Sequence, residues 1–75
     1  MNNKRRGLLK RATEYLGIAR NIIDTAHDEE EDAMNNMPES LQDSERYEIM
    51  EETVDTLDEV LELVDGAIDS INSLA

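Results

Sequence analysis

His27 is the only histidine in the chain, and it stands in a run of carboxylates, Asp24, Asp28, Glu29, Glu30, Glu31 and Asp32. On a helix, residues three or four apart share a face. His27 with Glu30 and His27 with Glu31 therefore have ligand spacing, and Glu29 with Asp32 and Glu48 with Glu51 repeat it with carboxylates alone. These residue types hold hard divalent cations or share protons as acid–base pairs. A carboxylate di-iron bundle, however, uses two Glu-x-x-His units, and the chain has a single histidine. The expectation is no catalytic residue, no dedicated metal ligand and no cofactor in a protein that acts without being an enzyme. Divalent-cation binding by the helical carboxylates stands as a remote alternative.

A different chemistry belongs to the acids as a group. Asp28, Glu29, Glu31 and Asp32, followed by Glu45, Glu48, Glu51, Glu52, Asp55, Glu59 and Glu62, form rows at helical spacing. Carboxylates one turn apart lie about 5–6 Å from each other, a spacing comparable to phosphates along a nucleic-acid strand. A rigid rod carrying them fits a groove built for phosphates. The partner such a surface selects is a basic protein of the nucleic-acid-binding kind. The competing reading is an acidic face that only keeps the chain in solution. The Glu-x-x-Asp and Glu-x-x-Glu pairs also resemble those of all-helical nucleoside-triphosphate pyrophosphohydrolases, which hold magnesium between helices. Arg46 is the one basic residue near them to hold a substrate phosphate.

The elements that position these groups must be few. The chain has 75 residues, 39% of them hydrophobic, with two Tyr, no Phe, no Trp and no Cys. That is one domain, residues 1–75, whose core supplies roughly 3–5 kcal/mol unaided, so self-association or a partner is expected. Without Cys there are no disulfides, thiolate nucleophiles or Cys-built zinc sites. A formal net charge of −12 disfavours direct nucleic-acid binding, which needs basic surface. No apolar run exceeds two residues, so neither a signal peptide nor a membrane span is expected.

Apolar periodicity predicts two helices, about 4–36 and about 44–74, joined by a turn at about 37–43. In the first, Leu9, Ala12, Leu16, Ala19, Ile23 and Ala26 recur with strict three–four spacing, continue through Glu30, Ala33 and Met37, and predict the buried seam. With Leu9 as heptad position a, large residues occupy a and Ala occupies d, while Leu8, Tyr15 and Ile22 add a column at g. The second seam reads Tyr47, Met50, Val54, Leu57, Leu61, Val64, Ile68, Ile71 and Ala75, flanked at g by Val60, Ala67 and Leu74. This spacing is the signature of coiled-coil-like helices. Gly7, Gly17 and Gly66 fall off both seams. Pro38 ends the first helix near Asn36, Ser40 is a candidate cap for a short turn, and Asp43 or Ser44 caps the second helix. So short a connection predicts an all-α antiparallel hairpin with arms about 45 Å long.

Charge is steeply graded. Residues 1–20 hold six basic residues and one acid, a net of +5, and residues 21–75 hold one basic residue and 18 acids, a net of −17. If facing residues sum to about 81, Arg20 reaches Asp58 or Glu62 and Arg11 reaches Asp69, so the second helix neutralises the basic arm. In the same register His27 lies at the seam margin and Glu30 points inward. The tip keeps its acids uncompensated. The Leu8–Tyr15–Ile22 and Val60–Ala67–Leu74 columns stay half exposed on a lone hairpin, and a homodimer forming a four-helix bundle would cover them.

The segment Asn36-Met37-Pro38-Glu39-Ser40-Leu41-Gln42-Asp43-Ser44-Glu45-Arg46-Tyr47-Glu48-Ile49-Met50-Glu51-Glu52, between a basic first helix and an acidic second one, resembles small acidic helical-hairpin proteins of phages and mobile elements of Gram-positive bacteria. The resemblance implies the cytoplasm of a bacterial host and, since small acidic proteins of such genomes are often anti-restriction or anti-CRISPR factors, inhibition of a host nucleic-acid-binding defence protein. It implies no catalytic residue. The alternative it leaves open is a self-assembling hairpin whose acids only solvate it.

Overall fold

The computed structural model describes residues 1–74; Ala75, the last seam position expected from the sequence, lies outside them. Two helices, α1 (Asn3–Asn35) and α2 (Glu45–Asn72), pack against each other as a hairpin through a 3-10 turn at Glu39–Leu41. The rod measures 59 × 15 × 13 Å. Among the described residues no helix is long and apolar enough to cross a membrane.

Each helix end has a local cause. Asn2 caps α1, its side-chain oxygen accepting from the Arg5 amide at 2.9 Å. Ser44, one of the two expected candidates, caps α2 by accepting from the Tyr47 amide at 3.3 Å. Asn36 closes α1 with its amide bonded back to Asp32, and Pro38 holds the extended φ/ψ that stops the helix. Pro38, rather than Ser40, sits at the N-cap of the short turn, and no side chain caps it. The acids at the two helix ends at the tip act oppositely. Glu45 and Glu48 occupy the first turn of α2, where the positive end of the helix dipole favours them, whereas Glu31 and Asp32 stand near the negative end of α1.

The α2 seam is as the periodicity predicts. Val54 and Leu61 are the buried hydrophobics, 5% and 8% exposed, and Tyr47, Met50, Leu57, Val64, Ile68 and Ile71 are half-buried along the same line. The α1 seam differs. Its a column, Leu9, Leu16 and Ile23, faces α2, but Ala19, Ala26 and Ala33 are exposed, with only Ala12 half-buried. The second inward column is e, comprising Thr13, Arg20, His27 and Met34. The helix is thus rolled by about 50° from the expected orientation, half the 100° between successive residues. Burying Ala removes little apolar area, whereas the roll brings Arg20 and His27 against the carboxylates of α2.

Candidate functional site

Ten of the eleven acids expected to form a binding surface are exposed: Asp28, Glu29, Asp32, Glu45, Glu48, Glu51, Glu52, Asp55, Glu59 and Glu62. Glu31 is half-buried. On α2 these residues and Asp58 fall in the b, e and f columns, a continuous arc about 100° wide. In each column the acids repeat at seven-residue intervals, about 10 Å along the axis. The rigid helix therefore holds them in parallel rows running back from the tip. A surface of this kind attracts a cationic partner over a Debye length of about 8–10 Å.

Two interhelical ion contacts lie along the e column, the edge of these rows nearest α1. Arg20 donates through Nε to Asp65 Oδ1 at 3.1 Å and also lies 3.6 Å from Asp24 within α1. Its pKa is raised, first by the hydrogen bond it donates to Asp65 and then by the charge of Asp65. One heptad further along, His27, 9% exposed, is the most buried polar residue of the described chain. Its Nδ1–H donates to Asp28 Oδ1 at 3.0 Å, while Nε2 lies 2.7 Å from Asp58 Oδ1 and 3.9 Å from Glu31 Oε2. The short Asp58 contact is not aligned with the ring N–H, so Nε2 gains electrostatic attraction there without a hydrogen bond. The Asp28 hydrogen bond raises the His27 pKa, burial opposes it, and the charges of Asp58, Glu31 and Asp28 reinforce the rise. The ring is placed to act as an imidazolium among carboxylates from both helices.

These contacts correct four expectations. Arg20 meets Asp65 rather than Asp58 or Glu62. His27, expected at the margin, is buried, and Glu30, expected to point fully inward, is half-buried. Arg11 is exposed and does not pair with Asp69. Among the described residues Lys4, Arg5, Arg6, Lys10 and Arg11 have no carboxylate within 4.0 Å. Of the basic arm, the second helix therefore pairs only Arg20 among the described residues. The role of His27 could have been found in the sequence by comparing columns: the e positions of α1 include Arg20 and His27, those of α2 include Glu51, Asp58 and Asp65, and flanking columns of this kind pair charges across coiled coils.

Asp24, His27 and Asp28 each present one ligand atom within 4.8 Å of the others. They are the described residues best placed to hold a cation, but Nδ1 already serves Asp28, so a metal there would displace the ring's own proton. At the opposite end of the rod an open cleft of about 260 Å³ lies among Arg6, Leu9, Lys10, Thr13, Ile71 and Leu74. Among the described residues its charged lining is basic, with no carboxylate to pair for acid–base work. No protein-family model, curated protein or solved structure matches the chain.

Proposed function

We propose that this chain is a small acidic binding protein that performs no chemistry and occupies the phosphate-binding surface of a basic, nucleic-acid-binding protein, as an inhibitor of the phage or mobile-element kind in a bacterial cytoplasm. One observation carries the reading. The carboxylate arc of α2 is exposed along its length, and within it only Asp58 meets a basic side chain among the described residues, with Asp65 at its edge the only other to do so. The helix holds these acids in fixed rows, so a partner pairs with them without first ordering them, which favours binding. Counterion release from a phosphate-binding groove then makes the association salt-dependent, as it is for the nucleic acid that the rod replaces.

The test is competition. Immobilised protein is exposed to bacterial lysate at low salt, and the bound fraction is challenged with duplex DNA or with 0.5 M salt. Bound proteins that DNA displaces, and that a Glu48→Lys, Glu52→Lys, Asp55→Lys, Glu59→Lys variant of unchanged helicity no longer retains, support the reading. Retention that neither DNA nor charge reversal alters refutes it. The alternative, an acidic surface that only solvates a self-assembling hairpin, is favoured if reversal changes solubility and leaves capture as it was.

A further inference from the structure

The hairpin has two unlike broad sides. Arg20 and His27, in the e column of α1, touch Asp65 and Asp58, in the e column of α2, so the e flanks of both helices share one side. The opposite flanks must share the other. On α1 that flank reads Leu8, Ala12, Tyr15, Ala19, Ile22 and Ala26, a second unbroken three–four seam at g and d. On α2 it is the g and c columns, which carry no charged residue from Ile49 to Leu74. Tyr15 is 64% exposed, Ile22 65% and Leu63 74%. A lone rod thus leaves one side uncharged over these residues and largely apolar, with Thr53, Thr56 and Ser70 the polar groups on its α2 half. Its accessible surface, 5726 Å², exceeds by about 1,100 Å² the roughly 4,650 Å² of a compact monomer of this mass. A standard interface buries about 800 Å² per partner.

We infer that a second copy of this chain covers that side, with α1 antiparallel to α1 of the second copy about a two-fold axis beside residue 17. Charge selects this arrangement. The first twenty residues carry +5, and residues 21–36 carry six acids and no Lys or Arg, so α1 is itself a dipole. Reversing one copy sets each basic arm on the other copy's acid half and sends the two tips to opposite ends. The other two-fold, along the rod axis, would stack both acidic tips together.

Packing selects the same axis. In this register Leu8 meets Ala26 of the second copy, Ala12 meets Ile22, and Tyr15 meets Ala19, a large side chain against a small one in every layer. The next layer sets Arg5 against Glu29, and the flanking columns set Lys4 near Asp32. Arg5 has no carboxylate within 4.0 Å inside its own hairpin. The axis also crosses α2 beside residue 65, which is level with residue 17 to within a turn because Arg20 reaches Asp65. There Leu63 meets Ala67 of the second copy. The assembly is a four-helix bundle that consumes the basic arm and leaves the carboxylate arc of α2 outside.

Sedimentation equilibrium of the full chain at 0.1–1 mM reads the mass, expected at about 17 kDa, twice the 8.5 kDa chain. A mass of one chain throughout overturns the inference. The axis is read by cysteines, of which the chain has none. Ala12→Cys chains mixed with Ile22→Cys chains link on oxidation, and neither links alone. A mixture that fails to link, while Ala12→Cys links to Ala67→Cys, overturns the arrangement. Arg5→Glu weakens dimerisation about ten-fold through two symmetric contacts, and adding Glu29→Arg restores it. Because an acid in the first turn favours the α1 N-terminus, loss of dimer with helicity retained is not unfolding. No rescue by the double exchange refutes the Arg5–Glu29 layer. None of these readouts depends on a nucleic-acid-binding partner.

Discussion

Leu61→Ala tests whether the narrow seam between α1 and α2 holds the hairpin together. Leu61 is 8% exposed and Val54 5%, and they are the only buried hydrophobic side chains among the described residues. Truncating a buried Leu costs about 2–5 kcal/mol, less where neighbours relax into the gap. The seam neighbours of Leu61, Leu57 and Val64, are half-buried and have room to move, which places the expectation at the lower end, about 2–3 kcal/mol. A chain of this length unfolds with an entropy near 0.16 kcal/mol/K, so the loss corresponds to a fall in Tm of about 13–19 °C. Thermal and urea unfolding followed by circular dichroism measure it. Leu63→Ala, two residues away and 74% exposed, is the internal control. In a monomer it changes stability by less than about 0.5 kcal/mol, and in the bundle its effect grows with protein concentration. A Leu61→Ala change below about 1 kcal/mol would refute the assignment of the seam as the source of stability.

Gly17→Ala and Gly66→Ala each stabilise by about 0.8–1 kcal/mol, the helix-propensity difference, because an added Cβ meets nothing within 4 Å and neither glycine has positive φ; a rise in Tm for each, additive in the double variant, checks this. Ser44→Ala removes the oxygen that accepts from the Tyr47 amide and lowers stability by about 1 kcal/mol, read from the urea midpoint. His27 has a raised pKa in the folded chain, so its contribution is fully present below the unfolded value near 6.5 and is lost as pH rises through the folded value. The groups facing it are Asp24, Asp28 and Glu31 from α1 and Asp58 from α2. Tm should fall as pH rises above about 6.5, and His27→Gln should remove that fall; an unchanged slope in the variant would show that the ring is not the titrating group.

Much of this architecture is legible in the sequence, and the part that is not has a physical reason. In α2 the seam residues are Val, Leu and Ile at three–four spacing with acids on the far side, so apolar area and charge point to one orientation, and the structure adopts it. In α1 they do not agree. Leu9, Leu16 and Ile23 fix one edge of the inward face, but Ala at d on one flank competes with Thr13, Arg20, His27 and Met34 at e on the other. A rule that counts apolar residues selects Ala, although a methyl group contributes little area, and it sets aside Arg20 and His27 because they are charged or polar. Both side chains bury their stems and rings at the seam edge while their nitrogen atoms reach the carboxylates of α2. The electrostatics of the opposing helix break the tie, and that information lies 45 residues from Arg20, at Asp65, and 31 from His27, at Asp58. The same roll turns the Ala column outward beside Leu8, Tyr15 and Ile22. Reading α1 alone merges two apolar stripes into a single wide one. Only with α2 in place do they separate into a seam that closes the hairpin and a second that the hairpin leaves uncovered.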